Sequence, residues 1–401
     1  MRILHVVTAF PRSPDDVIAP WLVELSKRLR AAGHDVEVFT SSYRGIPDHV
    51  FSGIPVHRFR YFVRRWENLT HEETAPDRMK RSLLYRLMPA CFVLAGMWAI
   101  WRLCRRCRYD VIHVHWPLPL ALFGWAAQLA RPASLVTTFY GVELRWVKTT
   151  MPFLRPFLAW AARRSDRVVA ISSYTAGQLR ELVDVPIEVI PYTASLPAPT
   201  DRRPRGASFV VLFVGRLVER KGVAYLVDAV GLLSAEFDVR LVIVGEGPER
   251  AGIEEQVRRK GLVGRVETRG QISEEALQQA YAAADSFVLP SIVDGRGDTE
   301  GLGVVLLEAM NYRVPVVASA VGGITDIVAD GETGLLVPPQ DPAALAAALL
   351  RLAGDAGLAA RLGEAGYRRL HAQFSWPAIV ERWMRLYAGV AAPESDGPQV
   401  R

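Results

Sequence analysis

The stretch FVVLFVGRLVERKGVAYLVDAV, residues 209–230, reads as one strand, one loop and one helix. Six consecutive apolar residues, 209–214, have no polar alternation, as in a strand buried on both faces of a helix-covered parallel sheet. The strand ends at Gly215, Gly222 opens the helix, and the loop between them carries Arg216 and Lys221. Two cations fixed beside helix N–H donors at the carboxyl end of a strand make a place for a phosphate or diphosphate. A solvated basic loop is the competing reading.

The same unit repeats outward from this point. RILHVV, DVEVFT, DVIHVHW, SLVTTFY, RVVAIS and IEVIPY precede it; VRLVIVG, SFVLPS, VPVVAS and GLLVP follow it, with helical patterns between. Strands alternating with helices give an α/β protein with doubly wound parallel sheets. The Pro-rich, aperiodic TASLPAPTDRRPRGAS divides the series. The expected organisation is a Rossmann-like domain over 1–192, a linker over 193–208 and a second Rossmann-like domain over 209–374. An amphipathic helix over 375–390 is expected to return to the first domain, with a disordered tail over 391–401. Ligands would sit in a cleft between the domains, beyond the strands' carboxyl ends.

Composition narrows the function. The chain has 401 residues, 50% of them hydrophobic and 22% charged, which fits a soluble two-domain protein and not a disordered one. MRILHVVTAF is expected to be a first strand, not a signal peptide. The longest apolar run, 87–101, is shorter than the roughly 18–20 residues of a spanning helix. Three cysteines are an odd number and fit a reducing cytoplasm; the Cys104/Cys107 pair lacks the second pair of a metal site. Residues 1–195 carry +10 and the remainder −4, so the first half is the one suited to an anionic surface or acceptor. No nucleic-acid-binding motif is present.

Two further motifs carry chemistry. VGEGPER, 244–250, is a second glycine turn at a strand end, where Gly245 lets backbone approach a ligand. DTEGLGVVLLEAM, 298–310, brackets a Gly-Leu-Gly step and an apolar run with Glu300 and Glu308. Helix throughout would separate the two acids by at most about 12 Å, the reach from a sugar across a diphosphate to a ribose. Carboxylates accept bonds from vicinal hydroxyls, and a helix N-terminus favours a diphosphate. Asp294 and Asp298 flank the preceding loop, where turn chemistry accounts for them.

FVGRLVERKG, IVGEGPER, AADSFVLPS and the run from Asp298 to Asp341, with its Glu-x7-Glu, resemble the C-terminal domain of retaining glycosyltransferases of family 4, which have the GT-B fold. The resemblance implies that Arg216 and Lys221 neutralise the donor diphosphate, Glu300 holds sugar hydroxyls and Glu308 holds the ribose. Gly215, Gly245, Gly301, Leu302, Gly303 and Val304 would line the donor, with Gln271 and Ile272 near the base. Leu302, where relatives frequently carry Phe, is marked as a sugar-specificity position. His115 would be the cleft histidine that contacts donor sugar or acceptor, His113 being better suited to a place within the sheet.

The acceptor half departs from the family pattern: the first loop is TAFPRSPDDVIAPW and FYGVEL stands where many members have FHG. Asp16, Tyr140 and Glu143 are assigned to the acceptor side. Residues 78–108 hold eight basic residues and no acid, around an apolar middle interrupted by Pro89. This segment is either an interfacial helix docking on anionic lipid or a buried helix with basic ends. The expected function is a cytoplasmic, peripherally membrane-associated retaining hexosyltransferase, with a UDP- or GDP-linked sugar as co-substrate, a glycan or lipid-linked acceptor, and neither metal nor cofactor. A nucleotide-sugar epimerase or hydrolase, and a non-catalytic nucleotide-binding protein at a membrane surface, are the alternatives.

Overall fold

The computed structural model describes residues 1–13, 16, 18–71, 78, 83–193, 206, 208–233 and 237–391. Most of the expected linker, the tail from 392 and residues 79–82 of the basic segment lie outside these. The chain divides into two compact units: 1–171, 175–190 and 379–401 form the first, 172–174 and 191–378 the second.

The first unit is built on eight strands: β1 Arg2–Val6, β2 Asp35–Ser41, β3 His49–Phe51, β4 Ile54–Phe59, β5 Val111–His115, β6 Ser134–Phe139, β7 Arg167–Ala170 and β8 Ile187–Val189. Their order is β3-β4-β2-β1-β5-β6-β7-β8, parallel except for the β3–β4 pair. Strand order reverses between β1 and β5, so the crevice beyond those two carboxyl ends is the natural binding position. The β3–β4 hairpin is absent from the sequence reading. Pro55 weakens the second strand as a pattern and β3 has three residues, yet Ser52-Gly53 between them, both at positive φ, is a two-residue hairpin signal.

The helix Leu83–Arg106 runs unbroken through Pro89, against the expected interruption. Packing compensates the lost hydrogen bond: Met88, Phe92, Ile100 and Cys104 enter the core, where Phe92 meets Phe59 at 5.2 Å and Phe123 at 5.8 Å. By length and composition Tyr85–Arg106 is long and apolar enough to cross a membrane. The final helix, Trp376–Ala391, belongs to the first unit from Ile379 onward; its Tyr387 bonds His113, and Ser134 donates to its Val390 carbonyl.

The second unit has six parallel strands: β9 Phe209–Val214, β10 Val239–Val244, β11 Val266–Gly270, β12 Ser286–Leu289, β13 Val316–Ser319 and β14 Leu335–Val337. The order is β11-β10-β9-β12-β13-β14, with the switch point between β9 and β12. One cluster of buried aliphatic and aromatic residues, drawn from the strands and the helices around them, fills this unit. Edge strand β11 escapes the sequence reading because VETRG is mostly polar and half exposed.

Candidate active site

The second unit's site is assembled at the β9/β12 switch point. Lys221 closes a short 3-10 turn, Glu219–Lys221, and Gly222 follows at φ +64. A Cβ on Gly222 would lie 2.0 Å from the Pro290 carbonyl oxygen, so glycine alone lets this turn rest on the end of β12. Gly322, at φ +56, is equally close to the Glu300 carbonyl and presses the 299–301 backbone into place. Glu300 thereby meets the cations: Lys221 Nζ donates to Glu300 Oε2 at 2.5 Å, Arg220 at 3.3 Å and the Ser291 hydroxyl at 3.4 Å. All three donors use one oxygen. Among the described residues Oε1 has no partner. Burial alone would raise this carboxyl; the charges of Lys221 and Arg220 outweigh it and hold it below its ordinary range.

Arg216 is exposed and forms no ion pair with a described residue. It is the free cation of the pair that the sequence singled out, whereas Lys221 is already engaged. Arg220 was passed over in the sequence, although ERKG displays it; besides Glu300 it reaches Asp298 at 3.6 Å. Asp294 spends its carboxylate on the amides of Arg296 and Asp298, which is the turn chemistry expected of it.

The helix after Glu300 is shorter than expected. It spans Val304–Asn311 with Gly303 as its left-handed N-cap, and among the described residues no side chain caps its first amides. Residues 300–303 are therefore not helical, and a helical ruler from Glu300 to Glu308 does not apply. Gly301, Gly303 and Val304 stand at the open helix start, where first-turn N–H groups favour an anion. Leu302 is different: its side chain is fully buried in the core, so only its backbone can line a donor, and a specificity role for the side chain is lost. Glu308, half-buried, accepts from the Tyr281 hydroxyl at 2.6 Å; burial raises its carboxyl and that bond opposes the rise. Tyr281 gave no sequence signal beyond helical spacing; it stacks on Tyr312 at 5.4 Å. Gly215 and Gly245 follow β9 and β10, their amides bonding the Val244 and Gly270 carbonyls. Gln271 is exposed just past β11, with Ile272 packed on the core edge.

In the first unit three histidines share one sheet face. Period two places His113 and His115 together, and His5 pairs with His113 across β1–β5. All three are fully buried. His115 bonds His5 at 2.9 Å and the Tyr140 hydroxyl at 2.7 Å; His113 bonds Tyr387 at 2.7 Å and Thr138 at 2.8 Å. Burial holds every ring neutral, His5 down to about 3. A place within the sheet, with its ring nitrogens bonded, therefore fits His115 as well as His113. Direct contact of its ring with a sugar does not match this burial.

What lies beyond these strand ends is aromatic. Trp116, held at φ +56, stacks on Tyr140 at 4.3 Å, and Trp21 lies 5.5 Å from Tyr140 and 6.2 Å from Trp116. A bulky residue in that backbone region costs about 1–3 kcal/mol, a strain that collects at functional sites. Glu143 is beside them: its Oε1 accepts from the Tyr140 amide at 2.7 Å, while buried Oε2 has no partner among the described residues. Burial pushes its carboxyl up to about 7. Asp16 is held by Arg12 at 2.5 Å and lowered; burial acts against that pairing. Arg58, unnoticed in the sequence, donates to the Phe10 and Pro11 carbonyls and fixes the same loop.

Cys104 is buried and pushed up to about 12, a thiol suited to packing and not to redox chemistry.

Comparison with known proteins gives the family and the fold. Residues 19–193 match the model of Glycosyltransferase Family 4 and residues 208–355 that of Glycosyl transferases group 1. The chain is 33% identical over 297 residues to phosphatidyl-myo-inositol mannosyltransferase of Mycobacterium leprae, covering 72% of this chain and 75% of the relative. It is 29% identical over 349 residues to a GDP-mannose-dependent α-(1-6)-phosphatidylinositol monomannoside mannosyltransferase of Mycobacterium tuberculosis, covering 82% and 89%. Sucrose-phosphate synthase of Thermosynechococcus elongatus superposes with a TM-score of 0.74 at 26% identity, over 97% and 98% of the two chains. The chain belongs to glycosyltransferase family 4, with the two Rossmann-like units of the GT-B fold.

Proposed function

We propose that this glycosyltransferase moves a hexose from a UDP- or GDP-linked donor, with retention and without a metal, to a hydroxyl of a glycan or lipid-linked acceptor. The observation that carries the reading is Glu300, anchored through Oε2 with Oε1 open, beside Lys221 and the uncapped start of helix 304–311. Oε1 accepts sugar hydroxyls. The helix amides, Arg216 and Lys221 take the diphosphate, and Glu308, oriented by Tyr281, takes the ribose. In the reaction the bond from the anomeric carbon to the diphosphate breaks and the acceptor oxygen bonds that carbon on the same face. The acceptor proton passes to the departing phosphoryl oxygen, giving the nucleoside diphosphate. Preorganised cations and amides stabilise the negative charge that grows on the leaving group.

The acceptor is assigned to the first unit. Trp21 and Trp116, both partly exposed, offer ring faces for a sugar or inositol, Tyr140 backs them, and buried Glu143 holds the Tyr140 amide in place, with Asp16 on the neighbouring loop. His115 contributes by holding the Tyr140 hydroxyl. The mycobacterial relatives' names, which specify phosphatidylinositol substrates, support a lipid-linked acceptor. So does the helix 83–106: Leu87, Leu94, Trp98 and Trp101 form one exposed stripe, with Arg102 and Arg105 over the two tryptophan rings. A basic, tryptophan-bearing stripe suits peripheral attachment to the anionic cytoplasmic face of a membrane.

The test is incubation with labelled UDP- and GDP-hexoses, with and without phosphatidylinositol and glycan acceptors. Transfer that requires acceptor supports the reading; donor isomerisation or hydrolysis without acceptor replaces it by an epimerase or hydrolase. Nucleotide binding with no turnover leaves a non-catalytic binding protein.

A further inference from the structure

Lys221 has two claims on its charge. It lies against Glu300 at 2.5 Å, and in the proposed function it must also neutralise the donor diphosphate. If Lys221 alone compensated Glu300, turning toward the diphosphate would leave a carboxylate 8% exposed without a counter-charge. Such a state is strongly disfavoured. Arg220 resolves the conflict. It addresses the same Oε2 at 3.3 Å from the other cation of the ERKG turn, and its guanidinium also reaches Asp298 at 3.6 Å. The backbone is pinned too, because the Arg220 carbonyl accepts from the Ile292 amide at 2.8 Å. Arg220 is about a quarter exposed and Lys221 is buried. Three features therefore coincide: a second cation on the same oxygen, an acid steadying that cation, and an opposite carboxylate oxygen left open.

We propose that Arg220 is a positioning residue that holds Glu300 by Oε2 when a donor draws Lys221 away, so that one lysine serves the diphosphate without uncovering the sugar-binding carboxylate. Asp298 keeps the guanidinium in reach. This rests on the donor site assigned above, and it goes beyond that site by giving Arg220 and Asp298, which touch neither sugar nor phosphate, a role in donor affinity and turnover.

The test is calorimetric titration with UDP and GDP, and steady-state transfer, on wild type, Arg220→Met, Arg220→Lys, Asp298→Asn and the double variant Arg220→Met/Glu300→Gln. Arg220→Met is expected to raise the nucleoside diphosphate Kd about tenfold or more, because Lys221 stays on Glu300. Arg220→Lys should stay within about threefold of wild type, and Asp298→Asn should weaken binding less than Arg220→Met. The double variant separates positioning from general damage: with no carboxylate to compensate, it should recover diphosphate affinity while transfer stays lost. Arg220→Met binding within twofold of wild type, or no recovery in the double variant, overturns the inference. If Arg220→Met does not fold, the Asp298→Asn and Arg220→Lys pair decides, equal Kd in both and wild type overturning it. Wild type that binds neither UDP nor GDP overturns the donor-site assignment itself, and the inference with it.

Discussion

Replacing Lys221 by Met should cost stability in a way that depends on Glu300 and on pH. Lys221 is 7% exposed and Glu300 8%, and their contact is 2.5 Å. Removing one partner of such a buried pair typically costs about 3–5 kcal/mol, mostly as the penalty of the charge left behind. Arg220 at 3.3 Å remains, which places the expected loss near the lower end, about 3 kcal/mol. For a cooperative unit of this size each kcal/mol shifts Tm by about 2–4 °C, so the variant should melt about 6–12 °C below wild type at pH 7. The sign with pH follows from linkage. In wild type the Glu300 carboxyl is lowered on folding, so its contribution is present above the unfolded glutamate value of about 4.3 and is lost as pH falls through the folded value. In the variant, burial is less opposed and the folded value moves upward. The Tm gap should therefore narrow steadily between pH 7 and pH 4, and Glu300→Gln added to Lys221→Met should recover part of the loss. Calorimetry of both variants across that range is the assay. A Tm within 2 °C of wild type at pH 7, or a gap that widens on acidification, refutes the reasoning.

Tyr281→Phe removes the bond to Glu308 and should weaken UDP or GDP binding by about 1 kcal/mol, roughly fivefold, and Glu308→Ala should weaken it further; titration calorimetry measures both. Leu302→Ala should act on stability, costing about 2–5 kcal/mol as a core truncation, with the relative rates on different donor sugars unchanged in a competition assay. Trp116→Ala should raise the acceptor KM more than tenfold and leave the donor KM within twofold. Adding a chelator should leave the rate of transfer unchanged; loss of activity restored by a divalent cation would show that the diphosphate is neutralised by metal as well as by Arg216 and Lys221.

Much of the second unit was legible because β9, β10, β12 and β14 are mainly apolar runs ended by glycine or proline, and because its motifs are local in sequence; the polar edge strand β11 was not. What the sequence hid is set by tertiary contact. Arg220 is visible in ERKG, yet only the approach of 219–222 to β12, allowed by Gly222, shows that it and Lys221 meet one oxygen of Glu300. The helix start at Val304 was misread because Glu300 to Asn311 keeps an apolar rhythm, while Gly303 at φ +92 in fact ends the loop there. Leu302 is marked by the family resemblance as a specificity position, whereas its side chain is part of the core. In the first unit, His115 looked functional by its place at a strand end; the partners that bury it, His5 and Tyr140, come from two other strands' chain positions and no local pattern announces them. Pro89 was read as a break because propensity argues so, and the aromatic packing of Phe92 overrides it.

The most direct measurement of the central claim is the anomeric configuration of the product, read by proton NMR after incubation with the donor that the wild type consumes and its acceptor. The account predicts that the transferred hexose keeps the donor's anomeric configuration and appears only when acceptor is present. An inverted linkage, or a free or isomerised sugar formed equally without acceptor, would contradict it.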